Sequence, residues 1–406
     1  MSQLTWLDFS EAQQRGIREA LLAFEDKGTV DDLGFGVIRD GISNALFPGT
    51  SIIQTRARYF LFIPWIFVRA QDRWPQQIVD KAADMERKLI QALKDGGETD
   101  GLIGRIAGNN VKTLPSAIYW AGLQTYEIFK VRGKTIRQYG RIAARKASRS
   151  EFEGEVADLE TSYWSSLPHP PEGFFNFKDA TFALSREEAE WLSERMLTTS
   201  RGLEQSNLLS QLVMKVQAGD TGILAHEHVW SLSREGSITE QSRELLFHAE
   251  RFSLFANGLS LLYNQMLCER RRNEESDFAK DVDYVMELEG WGRQASDLGL
   301  LDWCRSLDAL WTCLALHNSV VPLRTRRFME DATGSLLRSG LTSIWGNDSL
   351  RGLVERREID HKGKQARFAN QSRLRSFQGQ AGTGRMVFRW NLVQQLLNDI
   401  ADGLGR

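Results

Sequence analysis

From Thr239 to about Arg272 the apolar residues Leu246, Phe252, Phe255, Leu259, Leu262, Tyr263 and Met266 keep helical spacing, for about nine turns at 3.6 residues each. A helix of that length usually spans a bundle. Other segments read the same way. Ser10-Glu11-Ala12-Gln13 has capping-box spacing and opens a helix to about Glu25. An aromatic-rich helix is expected from Ser51. Ile78, Ala82, Met85, Leu89 and Leu93 repeat at threes and fours, Pro115 suits a first helical position, and Ser185-Arg186-Glu187-Glu188 is a second capping box. Strand signals reduce to Leu353–Asp360 and Met386–Arg389. The expectation is a mainly α, multi-helix protein of two or three subdomains with a small β element near the C-terminus.

At 406 residues, one ordinary core does not suffice. Leu167–Gly173 holds three prolines and reads as a joint, and 346–385 is rich in loop residues. The expected division is an N-terminal helical domain over 1–166, a central helical bundle over 174–345, and a basic segment with a terminal helix over 346–406. Gly28–Arg69 joins a glycine-rich, acid-bearing loop to a very apolar segment flanked by Arg56, Arg58 and Arg69, and is expected to organise a core. Its apolar window, 59–68, contains Pro64 and is about half the ~20 residues needed to span a bilayer. The N-terminus lacks the basic and apolar regions of a signal peptide. Three cysteines without CxxC spacing fit buried thiols in a reducing compartment. The protein is therefore expected to be cytoplasmic, with no membrane partner.

Net charge is −2, so any attraction to nucleic acid must be local. Between Lys130 and Arg149 there are eight Lys/Arg and no acid. On a helix, Lys134, Arg137, Arg141, Arg145 and Arg149 form one stripe opposite Ile136, Tyr139, Ala143 and Ala147, a geometry suited to tracking phosphates. The competing reading is neutralisation by the acids that follow, Glu151, Glu153, Glu155, Asp158 and Glu160. A second basic patch runs from Arg351 to Arg389, with ten Lys/Arg against three acids, and the aromatics Phe368, Phe377 and Phe388 within it and Trp390 just after. Its central cations are Arg356, Arg357, Lys362 and Lys364. Arginines among aromatics suit stacking on bases, or docking on an acidic protein surface.

Catalytic signatures are weak. Asp360-His361-Lys362 matches half of a restriction-type metal site, with Asp348 as a conceivable second carboxylate. The same pattern recurs at Glu25–Lys27 and Glu86–Lys88. His226-Glu227-His228 has no third ligand nearby. Cys268 stands beside Arg270–Arg272, where a lowered pKa is expected, but without a base. No phosphate-loop or dinucleotide fingerprint occurs, and Gly34, Gly36, Gly379, Gly382 and Gly384 read as flexible turns.

Thr5–Ser10 (TWLDFS), the block Gly28–Trp65, Ile118–Leu123 (IYWAGL) and the terminal RW…L..DI..GL of Arg389–Leu404 resemble an uncharacterised bacterial family of about this length. The resemblance implies a setting among helicase, phospholipase-like and methyltransferase genes of phage-defence loci, and supplies no catalytic residues. The combined expectation is a non-catalytic accessory subunit of a defence-type complex, without cofactor or metal, binding other subunits, DNA or RNA. The alternatives are a metal-dependent nuclease at Asp348, Asp360 and Lys362, and a purely structural scaffold.

Overall fold

The computed structural model describes residues 31–153, 162–178, 180–275, 278 and 282–406. The helix expected over 10–25, the TWLDFS motif, and Glu155, Asp158 and Glu160 lie outside them. The fold is helical. Among the described residues no strand is longer than the isolated antiparallel bridge Phe129–Trp164. The β element expected at 353–360 is instead part of a helix, and no strand forms at 386–389.

Contacts divide the chain into two compact units, each built from separated segments: 1–24, 47–227 and 389–406 in the first, 25–46 and 228–388 in the second. Gly28–Arg69 is thus shared between them. Its loop belongs to the second unit and its aromatic helix to the first.

The second unit begins with α1 (Gly36–Leu46). The first unit continues with α2 (Tyr59–Arg73), α3 (Ile78–Asp95), α4 (Pro115–Thr125), α5 (Ile136–Glu153), α6 (Arg186–Leu197) and α7 (Leu208–Gln217). Ten of the fifteen residues of α2 are buried. At roughly 1.5–3 kcal/mol per large apolar side chain, this outweighs the ~3 kcal/mol cost of Pro64 inside the helix. The helix starts at Tyr59, not at Ser51. Residues 55–57 are held open by other elements: the Tyr119 hydroxyl accepts from the Thr55 and Arg56 N–H groups (2.8 and 3.1 Å), and Asp399 accepts from the Ala57 N–H (2.8 Å). Asp399 also pairs with the Arg56 guanidinium at 2.8 Å.

Asp399 belongs to α15 (Trp390–Leu404), which packs on α6 and α7. At Gly403 a Cβ would come within 2.8 Å of Ala189, and at Gly122 within 2.5 Å of the Gly49 carbonyl. Residues of three resemblance motifs, Arg56, Tyr119 and Asp399, therefore meet in one structural junction. The capping box of α6 forms as expected, and Glu188 additionally pairs with Arg58 at 2.8 Å. Leu167–Gly173 lies inside this unit, where Trp65 Nε1 donates to the Pro168 carbonyl.

The second unit is organised by α8 (Glu240–Glu274), the 35-residue helix read from the sequence, capped by Thr239. Around it stand α1, α9 (Val285–Asp297), α10 (Leu300–Arg305) and α13 (Asp348–Lys362). α11 (Leu307–Leu316), α12 (Leu323–Ser339) and the short α14 (Gln371–Arg375) complete it. Residues 348–362, expected to be loop, form a helix because Asn347 caps it, its Oδ1 accepting from the Leu350 N–H. The glycine-rich stretch after α14 does lack regular structure, yet it is tied to a polar stripe of α8. Asn264 exchanges two hydrogen bonds with Ala381 (both 2.6 Å), Asn257 donates to the Thr383 carbonyl, and Ser253 accepts from the Met386 N–H. Side chains of one helix thus satisfy backbone groups that a neighbouring strand would otherwise pair.

Candidate functional site

Arginines that make no ion pair with a described residue gather on two surfaces, one in each unit. The first is α5. Thr135 Oγ1 accepts from the Gln138 N–H (3.2 Å) while Gln138 Oε1 accepts from the Thr135 N–H (3.0 Å). This reciprocal T-x-x-Q cap was legible in the sequence and went unread. Tyr139, Gly140 and Ala143 are buried. The Tyr139 hydroxyl donates to Gln71 (2.6 Å) and accepts from Trp164 Nε1 (3.1 Å). A Cβ on Gly140 would lie 2.7 Å from Val79, so α5 sits close on α3. That orientation turns Arg137, Arg141 and Arg145 to solvent. None makes an ion pair with a described residue. They lie about 6 Å apart along the axis at 1.5 Å per residue. Lys134 is half-buried, its carbonyl accepting from Trp120 Nε1.

The second surface is a groove of about 620 Å³ between α12 and α13, lined by Leu323, Arg324, Arg327, Phe328, Asp331, Leu353, Arg356, Arg357 and Asp360. Arg324, Arg327 and Arg356 are exposed and make no ion pair with a described residue. Arg357 forms the floor. It is 5% exposed, and its guanidinium donates to the Leu33 carbonyl (2.7 Å), the Gly34 carbonyl (3.3 Å) and Thr325 Oγ1 (3.0 Å). Burial is the largest influence on it and lowers its pKa, Arg324 adds to the fall, and Asp31 and Asp360 oppose it.

The four cations singled out in the C-terminal patch therefore separate. Arg356 and Lys364 face solvent, whereas Arg357 and Lys362 turn inward. Lys362 pairs with Asp32, which also receives Arg367 at 2.9 Å. Arg367 reaches the Tyr263 hydroxyl (2.8 Å), which donates to Glu358, and Glu358 accepts from the Arg367 and Phe368 N–H groups. Asp31 caps α1, accepting from the Phe35 and Gly36 N–H groups. The acids of the N-terminal loop thus anchor both α1 and the end of α13. Gly34 is no loose turn. Its φ is +70°, and a Cβ there would lie 2.5 Å from the Arg357 guanidinium.

The aromatics of that patch are buried as well: Phe368, Phe377, Phe388 and Trp390 are all at or below 5% exposure. Bases have no ring face to stack on there. Arg324 and Arg327 were missed by the sequence reading, although Arg324, Arg326 and Arg327 crowd four positions just after Pro322. Only the helix register shows that Arg326 instead covers Trp311, at 5.2 Å.

The nuclease constellation does not assemble. Asp348 and Asp360 sit at opposite ends of α13, about 18 Å apart at the helical rise, and the Lys362 ammonium is on Asp32. Among the described residues no three His, Cys, Asp or Glu side chains converge as metal ligands. The His226 carbonyl accepts from Trp390 Nε1, and the His228 ring stacks on Trp230 at 4.6 Å. Cys268, expected to have a lowered pKa, is buried, and burial pushes its thiol up to about 11 despite Arg272. Its position explains the reversal: the loss of water outweighs one nearby cation.

Fold and site together describe an all-helical protein whose distinctive features are exposed cationic surfaces, and no described helix is long and apolar enough to cross a membrane. The chain belongs to a family of unknown function, DUF6361, whose profile matches residues 1–404. No curated protein and no solved structure matches it.

Proposed function

We propose that the protein is a non-catalytic accessory subunit of a bacterial multi-protein, anti-phage defence system, gripping nucleic acid through its α5 stripe. The observation that carries the binding role is the exposure of Arg137, Arg141 and Arg145 along one helix face, with no ion pair to a described residue. Three guanidiniums about 6 Å apart cover about 12 Å, a length over which one duplex strand presents three to four phosphates at 3.4 Å of axis each. The defence setting is supported by the sequence resemblance. The separation of Asp348 from Asp360 along α13 and the pairing of Lys362 with Asp32 count against a metal-dependent nuclease at those residues.

Fluorescence anisotropy with labelled 30-nucleotide single-stranded and duplex DNA and RNA tests it. Three phosphate contacts give a log–log salt slope near −2.7 on duplex DNA. Affinity is expected to fall about 40-fold between 50 and 200 mM salt. The variant Arg137→Glu/Arg141→Glu/Arg145→Glu is expected to lose both the affinity and the slope. Unchanged affinity and slope in that variant would remove the reading.

A further inference from the structure

The groove between α12 and α13 carries signs in alternation. Along α12 the order is Arg324, Arg327, Asp331, at helical spacings of three and four, and along α13 it is Arg356, Asp360, at a spacing of four. The helices run antiparallel, Asn347 reaching Ser335 and Ser339 while Arg357 reaches Thr325, so Asp360 and Asp331 close opposite ends and the arginines lie between them. Leu323, 61% exposed, and Leu353 supply apolar surface toward the two ends. A uniform polyanion entering this groove would meet two carboxylates as well as the arginines. A protein segment can place opposite charges against each in turn. Such complementary patterning selects partners in protein–protein recognition, and a trough between two helices with apolar seats is the usual receptor for a third.

We propose that this groove receives a helical segment of a partner protein bearing acidic residues at three- or four-residue spacing, with an apolar and a basic residue on each side of them. The acids pair with Arg324, Arg327 and Arg356 through guanidinium forks whose geometry matches carboxylates. The apolar residues cover Leu323 and Leu353, and the basic residues meet Asp360 at one end and Asp331 at the other. The inference rests on the reading of the chain as a binding subunit, but not on contact between α5 and nucleic acid.

The test is selection of random 16-residue peptides displayed on phage against the full-length chain, followed by anisotropy with the enriched peptides. Enriched sequences are expected to share the acidic spacing and the flanking apolar and basic residues. Their affinity is expected to fall about tenfold or more in both Arg324→Glu/Arg327→Glu and Arg356→Glu, with unchanged thermal melting. Peptides with Lys in place of the acids are expected to recover binding to the charge-reversed variants. Enriched peptides that bind wild type and both variants alike would overturn the proposal. So would single-stranded or duplex DNA whose binding is lost in the groove variants but kept in the α5 variant, which would make nucleic acid the occupant. Loss of DNA binding in the α5 variant alone leaves the groove's peptides unaffected, so the two readings fail separately.

Discussion

Glu86 offers a direct test of how burial sets the energetics of the first unit. Its carboxyl is 1% exposed in α3. Oε2 accepts from the Ser116 N–H at the start of α4 (2.7 Å), and Oε1 has no hydrogen-bond partner among the described residues. Burial pushes the group up from 4.5 to about 7, against the opposing pull of the Ser116 hydrogen bonds and Arg87. The folded state therefore holds a proton that the unfolded state releases near pH 4.5. The stabilisation is complete below pH 4.5 and is lost as pH rises through about 7. At 1.36 kcal/mol per pH unit of pKa difference, the swing is about 3 kcal/mol.

Glu86→Gln removes the titration while keeping the shape and an acceptor for Ser116. In urea melts followed by tryptophan fluorescence, the variant is expected to be nearly as stable as wild type at pH 4.5. It should gain progressively to about 3 kcal/mol over wild type by pH 8. A difference that stays flat from pH 4.5 to 8, or that turns in favour of wild type as pH rises, refutes the argument that an uncompensated buried carboxyl governs this helix pair.

Gly258 on α8 faces Trp291, whose ring would lie 2.2 Å from an added Cβ and is fixed by its own hydrogen bond to the Leu254 carbonyl. Gly258→Ala is therefore expected to lower stability by about 1–3 kcal/mol, whereas Gly290→Ala on α9, with only a distant Arg293 side chain nearby, raises it by up to about 1 kcal/mol. Chemical denaturation of both variants checks the opposite signs. Burial raises the thiols of Cys268, Cys304 and Cys313 to about 11, 12 and 11. A thiol-titrating disulfide reagent at pH 8 should find them inert in the folded chain and all three reactive in denaturant; fast reaction of any one when folded would contradict the burial.

Periodicity alone determined the helical class of this protein, the 35-residue α8 and the cap of α6, because spacing and caps act within a few residues of one another. The stripe of α5 was legible for the same reason. Tertiary structure decided everything that depends on distant partners. Arg357 and Lys362 look like Arg356 and Lys364 in composition, but Asp32 and the carbonyls of Leu33 and Gly34, more than 300 residues away in sequence, draw the first two inward. Thr55 to Ala57 stay unwound because Tyr119 and Asp399 take their backbone donors. The arginine groove exists only where α12 and α13 lie side by side, since a face shared by two helices has no periodicity in either one. Local pattern sets which segments can be helices; which of their charges reach solvent is set by the long-range pairs that folding brings together.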